Sequence, residues 1–210
     1  RANGMEDGVH IRLMVTRGLK KTPNQDPRQT IGRATVVIVA EWKLPSPAIV
    51  TTGLSLFTSS IRCSPADMFD MRLNSHSRLN LIIALNQAIK AGADEALMLD
   101  PRGFVASCNS TNFFIVRGDD ELWTSTGNYS FKGITQANVI RAWQAAGGVV
   151  RECDFTLAQV YSAKEAFVTG TLGGVTPVTK IDGRMIGDGR PGPVTERASG
   201  LYGQYCEQQT

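Results

Sequence analysis

Three stretches of this 210-residue chain set hydroxyl side chains beside glycines, a combination suited to holding a phosphate. They are Gly133-Ile134-Thr135, Thr169-Gly170-Thr171-Leu172-Gly173-Gly174, and Asp182-Gly183-Arg184 through Gly192-Pro193-Val194-Thr195. The first precedes a stretch with helical patterning, where free amides and the positive end of the helix dipole attract an anion. The second follows the apolar run Ala166-Phe167-Val168, and consecutive amides after a strand wrap anions in many folds. Each has a plainer structural reading: Thr135 capping a helix whose turn Gly133 makes, and a ligand-free loop at 169–174. Neither fits the phosphate loop of nucleotide hydrolases, G-x-x-x-x-G-K-[ST].

Other chemistries find less support. His10 and His76 are the only histidines, and neither has a partner at ligand spacing. Cys63, Cys108, Cys153 and Cys206 lack C-x2-C spacing, so no metal site is expected. A serine-hydrolase elbow, G-x-S-x-G, is absent. Cys108 reads as a buried, inert thiol, and all four cysteines as reduced and unpaired in a cytoplasmic protein. Arg17 closes an apolar run beside Gly18, where a guanidinium could grip a carboxylate or simply stay solvated at the surface. The net charge of +3, without blocks of like sign, argues against a nucleic-acid or acidic-membrane surface. No apolar run reaches the roughly 18 residues that span a bilayer, and no signal peptide is visible. The opening Arg1-Ala2-Asn3-Gly4-Met5 reads as that of a fragment or a processed product.

These groups need elements to position them. Residues 9–17 read as a strand ending at Gly18, and 20–33, with Pro23 and Pro27, as a surface loop. The nearly continuous apolar run 35–42 predicts a strand buried on both faces. Leu44-Pro45-Ser46-Pro47 breaks regular structure, and a further strand is expected around 49–61. Apolar spacing predicts a helix over 78–91, started by Ser75 or Ser77 and stopped by Gly92. A meander follows through 95–100, 112–117 and 122–124. Then come a helix over 135–146, strands at 149–154, 165–171 and 176–181 around a short helix at 156–163, and a closing helix over 193–207 that opens with Pro193. Strands come mostly in runs, which predicts a mixed α+β fold.

In order along the chain, Val15-Thr-Arg-Gly18, Leu79-Asn80, Ala91-Gly-Ala-Asp-Glu-Ala-Leu97, Gly103-Phe-Val, Ser110-Thr-Asn-Phe113, Gly133-Ile-Thr135, Glu165 through Thr171, Pro177-Val178, Asp182-Gly183 and Gly192-Pro-Val-Thr195 carry a resemblance. The chain resembles the class IV, or fold type IV, pyridoxal 5'-phosphate (PLP) aminotransferases. That family includes branched-chain and D-amino-acid aminotransferases and aminodeoxychorismate lyase. The resemblance spans essentially the whole chain. It implies a two-domain fold, with a truncated small α/β domain at 1–45, a linker at 46–51 and a large cofactor-binding domain at 52–210, PLP lying between the domains.

It also implies amino-group transfer between an amino acid and a 2-oxo acid, a homodimer, and specific contacts. The amides of Ile134 and Thr135 and the amide and hydroxyl of Thr171 would hold the phosphate, with Gly133, Gly170 and Leu172 shaping the two turns. Arg17 would take the substrate carboxylate. Three positions depart from the family pattern. The Schiff-base lysine falls on Ser77 or His76, followed by Arg78, and no lysine occurs between Lys43 and Lys90. A serine forms no imine, and a guanidinium stays protonated. The glutamate beneath the pyridine nitrogen falls on Ser107, and Gln136 stands where arginine commonly follows Gly-Ile-Thr. A non-catalytic binder of PLP or a phosphorylated metabolite, and a lyase of the aminodeoxychorismate type, are the alternatives.

Overall fold

The computed structural model describes residues 3–209. The chain forms two compact units, Arg1–Pro45 and Ser46–Thr210.

In the first unit, β1 (Val9–Thr16) pairs antiparallel with β4 (Thr35–Trp42) over their full length. The connection is not a plain loop. It carries a small hairpin, β2 (Leu19–Lys20) with β3 (Thr30–Ile31), and a 3-10 turn at Pro27–Gln29 opened by the Asp26 side chain. Gly18 is required at the exit of β1. Its φ is +84°, and a Cβ there would strike the Arg33 carbonyl. The expectation that 35–42 is buried on both faces is corrected. Val36, Ile38 and Trp42 are each more than half exposed, as are Ile11, Leu13 and Val15 across the ribbon. A two-stranded ribbon has two faces and no layer of its own to cover them.

The second unit opens with α1 (Pro47–Thr52), so the stretch read as linker is mostly helical. Nine strands follow. They are β5 (Leu54–Thr58), β6 (Glu95–Leu99), β7 (Val105–Cys108), β8 (Asn112–Gly118), β9 (Glu121–Thr124), β10 (Val149–Glu152), β11 (Glu165–Gly170), β12 (Gly174–Ile181) and β13 (Arg184–Met185). They build one mixed sheet in the order β10-β9-β8-β11-β12-β5-β6-β7, with β13 pairing with β12. Strand β5 is parallel to both β12 and β6, and β10 is parallel to β9. The remaining pairs are antiparallel. Strand β7 has no counterpart in the sequence reading, because Val105-Ala-Ser-Cys108 is too short and too mixed to show a period.

The three long helices pack on one face of the sheet. α3 (Leu79–Lys90) packs on β6 through Leu81, Ala84 and Ala88, and ends where Gly92 turns left-handed so that the Ala93 amide reaches the Ala88 carbonyl. Its start differs from expectation: Arg78 holds the N-cap position without a side-chain cap bond, while Ser75 accepts from the Ser77 amide instead. The same face, at β8 and β11, carries α4 (Ile134–Ala145) and α6 (Pro193–Glu207), whose Val139, Trp143, Val194 and Ala198 close over Phe114 and Phe167, stacked at 4.8 Å. The short helices α2 (Ala66–Phe69) and α5 (Leu157–Tyr161) fill the edges, α5 being opened by a capping box of Thr156 and Gln159. Among the described residues, no helix is long and apolar enough to cross a membrane.

Candidate cofactor site

The two helices on the α4/α6 face begin in different ways. The α6 N-terminus is closed: the Glu165 carboxylate accepts from the Val194 amide at 3.0 Å, the Thr195 amide at 2.8 Å and the Thr195 hydroxyl at 2.7 Å. Asp182 is likewise engaged. At φ +52° its carboxylate accepts from the Thr58 amide and hydroxyl and from Tyr161 at 2.8 Å. The third phosphate candidate, 182–195, is therefore a structural seam, with its donors already satisfied by carboxylates of the same chain.

The α4 N-terminus is different. Gly133 occupies the N-cap position and no side chain caps it. Thr135 does not cap the helix; its side chain is buried and hydrogen-bonded to Tyr202 of α6. A helix of 12 residues thus begins with backbone donors facing outward and no acidic group in its first turn.

Asn112, the first residue of β8, ties this turn to the second candidate. Its Nδ2 donates to the Phe131 carbonyl at 2.8 Å, and its Oδ1 lies so close to Gly133 that a Cβ there would overlap it. On its other side Asn112 is in register with Thr169 of β11. The 171–173 turn follows directly, and Gly170 faces the Thr111 side chain at 3.2 Å from where its Cβ would be. The 133–135 and 169–171 segments therefore flank the same end of β8. Beside them the buried Thr169 hydroxyl has no hydrogen-bond partner among the described residues.

Next to this junction opens a cavity bounded by α3, the segment before it, and the 107–112 segment. Ser77, Arg78, Ser107, Thr111, Asn112 and Phe131 line it. No residue of its lining is a lysine. Ser77 and Ser107, far apart in sequence, thus share one cavity. Gly133, Ile134, Thr135, Gly170, Thr171 and Leu172 are not in its wall but stand behind Asn112 and Thr111 at its edge. Ile134, Thr171 and Leu172 are exposed. Arg17 is exposed at the end of β1 in the first unit. Gln136, where the resemblance places arginine, is buried and donates to Thr124 Oγ1 at 3.1 Å, so it braces the sheet.

The lining is organised from behind by Glu95, a residue the sequence reading assigned no role. Its carboxylate accepts from the Ser110 amide at 3.0 Å, the Ser110 hydroxyl at 2.8 Å and the Thr111 hydroxyl at 2.9 Å. Burial pushes its pKa above the usual range, and the bonds from Ser110 and Thr111 pull it back. Ser107 is buried, and its hydroxyl donates to the Thr111 carbonyl at 2.8 Å. Cys108 is a fully enclosed thiol pushed well up, first by burial and then by the nearby Glu95 charge. Cys63 behind it is raised to about 12 by burial. Both are poor nucleophiles in the folded chain.

A site of this kind suits a small molecule with an anionic tail. The tail would meet the unstoppered α4 amides and the 169–171 hydroxyls, and the body would enter the cavity. The close approach at Gly133, the contact at Gly170 and the orphaned Thr169 hydroxyl fit a phosphate group.

The sequence profile described as "Amino-transferase class IV" matches residues 1–181. The chain belongs to that family. It is 38% identical over 200 residues to branched-chain-amino-acid aminotransferase-like protein 2 of Arabidopsis thaliana, covering 95% of this chain and 35% of that protein. It is 36% identical over 198 residues to a putative branched-chain-amino-acid aminotransferase of Methanocaldococcus jannaschii, covering 94% of this chain and 67% of the relative. Among solved structures it resembles the branched-chain aminotransferase of Thermoproteus uzoniensis with norvaline, with a TM-score of 0.86 at 30% identity over 97% of this chain and 66% of that one. It equally resembles a branched-chain amino acid aminotransferase with pyridoxamine 5'-phosphate from T.th., with a TM-score of 0.86 at 35% identity over 93% of this chain and 64% of that one. The mixed α/β architecture is that of these fold type IV structures. The class IV chain thus spans about a third of its Arabidopsis relative and about two thirds of the others.

Proposed function

We propose that this class IV chain binds PLP and transfers an amino group between an amino acid and a 2-oxo acid. What supports this is the uncapped α4 N-terminus at Gly133, held against Asn112 at the cavity edge, in a member of an aminotransferase family. The amides of Ile134 and Thr135 and the amide and hydroxyl of Thr171 hold the phosphate, while Gly133, Gly170 and Leu172 let the two turns approach it. When bound, PLP supplies the electron sink that makes an amino acid's α-hydrogen labile. Ser107 meets the ring from the cavity wall, and Arg17 takes the substrate carboxylate. A homodimer and a cytoplasmic location belong to the same reading, by family resemblance.

Ser77 is the weak point of catalysis. It stands where the family has the lysine that joins the cofactor and moves the proton, and a neutral hydroxyl does neither at neutral pH. Neighbouring Arg78 is tied to the Ser75 carbonyl at 2.8 Å and to Asn74. A second reading therefore has a specific observation behind it. A cavity lined without lysine favours a protein that holds PLP without a covalent bond.

The deciding experiment is to load the purified chain with PLP, treat it with borohydride, dialyse, and map any added mass by peptide mass spectrometry. A modified lysine together with amino-acid-dependent 2-oxo-acid turnover supports the enzyme. Saturable but fully dialysable PLP supports the non-covalent holder, and Ser77→Lys should then acquire the added mass at position 77. No saturable PLP binding overturns both readings.

A further inference from the structure

The hydroxyl protons of Ser107, Ser110 and Thr111 on one wall of the cavity are all committed to acceptors within the protein. An ionised carboxylate accepts hydrogen bonds and donates none. Glu95 therefore draws the Ser110 and Thr111 hydroxyl protons inward, at 2.8 and 2.9 Å. A carbonyl oxygen also only accepts, so the Ser107 proton points to Thr111 at 2.8 Å. That carbonyl is fixed in turn by the Cys108 amide at 2.9 Å. Ser107, Ser110 and Thr111 all line the cavity, and what they offer it is lone pairs. At the neighbouring edge, the α4 N-terminus offers donors. The site is polarised, with the Ser107, Ser110 and Thr111 hydroxyl oxygens as acceptors on one side and donors at 133–135.

We propose that Glu95 is a positioning residue that fixes this polarity, so that Ser107 accepts a hydrogen bond from the protonated ring nitrogen of a phosphate-tailed pyridine. The inference rests on the cofactor reading above. A neutral pyridine nitrogen is itself an acceptor and would face lone pairs without a proton between them, a pairing that costs energy in a buried wall. The protonated ring supplies the missing donor. The negative charge of Glu95 acts in the same direction, and its reach to this wall is visible at Cys108. The charged or titratable groups around the wall are Glu95 on β6, Cys108 on β7, Cys63 packed behind, and Arg78 on the α3 side. Of these, Arg78 opposes the effect, and the two raised thiols are neutral at working pH. A carboxylate one layer back, acting through Thr111 and Ser107, thus supports ring protonation where no carboxylate lines the wall itself.

By linkage, a site that prefers the protonated ring raises the ring-nitrogen pKa on binding. The test uses the whole chain and pyridoxamine 5'-phosphate carrying 15N in the ring, which needs no covalent attachment. The ring-nitrogen resonance is followed over roughly pH 5–9, free and bound, for the wild type, Glu95→Gln and Ser107→Ala. The wild type should favour the protonated ring by about tenfold, a rise of about one pH unit. Glu95→Gln should lose most of that rise, and Ser107→Ala should lose part of it. Ser107→Ala keeps the question answerable if the Glu95 variant does not fold.

A purely structural role for Glu95 predicts something else: affinity falling equally at every pH with the ring titration unmoved. That result, with wild-type binding intact, overturns the proposal. So does a Ser107→Ala protein that binds with the wild-type ring titration. Failure of the wild type to bind pyridoxamine 5'-phosphate is a different outcome, and it ends the cofactor reading on which this inference stands.

Discussion

In β4 the run Val36-Val37-Ile38-Val39 is between 38% and 66% exposed, whereas in β6 Ala96, Leu97 and Met98 are at 0%. By residue type the two strands are alike. They differ in their neighbours. Strand β6 lies between β5 and β7, and its side chains alternate into two separate cores, Leu97 and Leu99 on one face and Ala96 and Met98 on the other. Among the described residues, strand β4 has only β1 beside it and no layer within its own unit on either face. An apolar run states what a strand needs for burial, and the surrounding elements decide whether it is met.

The largest effect expected from this contrast is in the core. Phe167→Ala removes a ring stacked on Phe114 at full burial and should cost about 3–5 kcal/mol in chemical denaturation. Ile38→Ala in β4 should change stability by no more than about 0.5 kcal/mol. Comparable losses at both sites would show that the ribbon is covered in solution.

The two helix N-termini sharpen the same comparison between satisfied and open groups. Glu165→Gln weakens three bonds that close α6 and should destabilise the fold by about 1–3 kcal/mol, read from the same denaturation curves. PLP retention, measured on the folded variant, should be nearly unchanged because the α4 end is untouched. Thr171→Val reverses the pattern. Its side chain is exposed, so folding should be unaffected, while PLP binding measured by equilibrium dialysis should weaken by roughly 1–3 kcal/mol. Wild-type PLP retention in Thr171→Val would remove the phosphate from that turn.

Much of the element order was legible from sequence. The β1 strand, the α3 helix with its Gly92 stop, the α4 helix after Gly133 and the closing α6 helix from Pro193 follow from local periodicity and terminators. These are short-range properties, fixed by backbone sterics and side-chain spacing. The hairpin inside 20–33, strand β7 and the helical turn at 47–52 were not legible, since short segments leave no period to read.

The candidate site divides in the same way. Residue types and their order pointed to Ser77, Ser107, Gly133, Ile134, Thr135, Gly170, Thr171, Leu172 and Arg17 through the family resemblance. Nothing local pointed to Asn112 joining two distant turns, to Glu95 directing hydroxyl protons along a wall, or to Glu165 closing α6 and so removing one of three phosphate candidates. The sequence by itself determined most of the longer helices and strands and the family they belong to, because those depend on neighbours along the chain. Only the tertiary structure decided which apolar faces are covered, which helix end stays open and which carboxylate stands behind the cavity. Those depend on groups that folding brings within a few ångströms from distant parts of the chain.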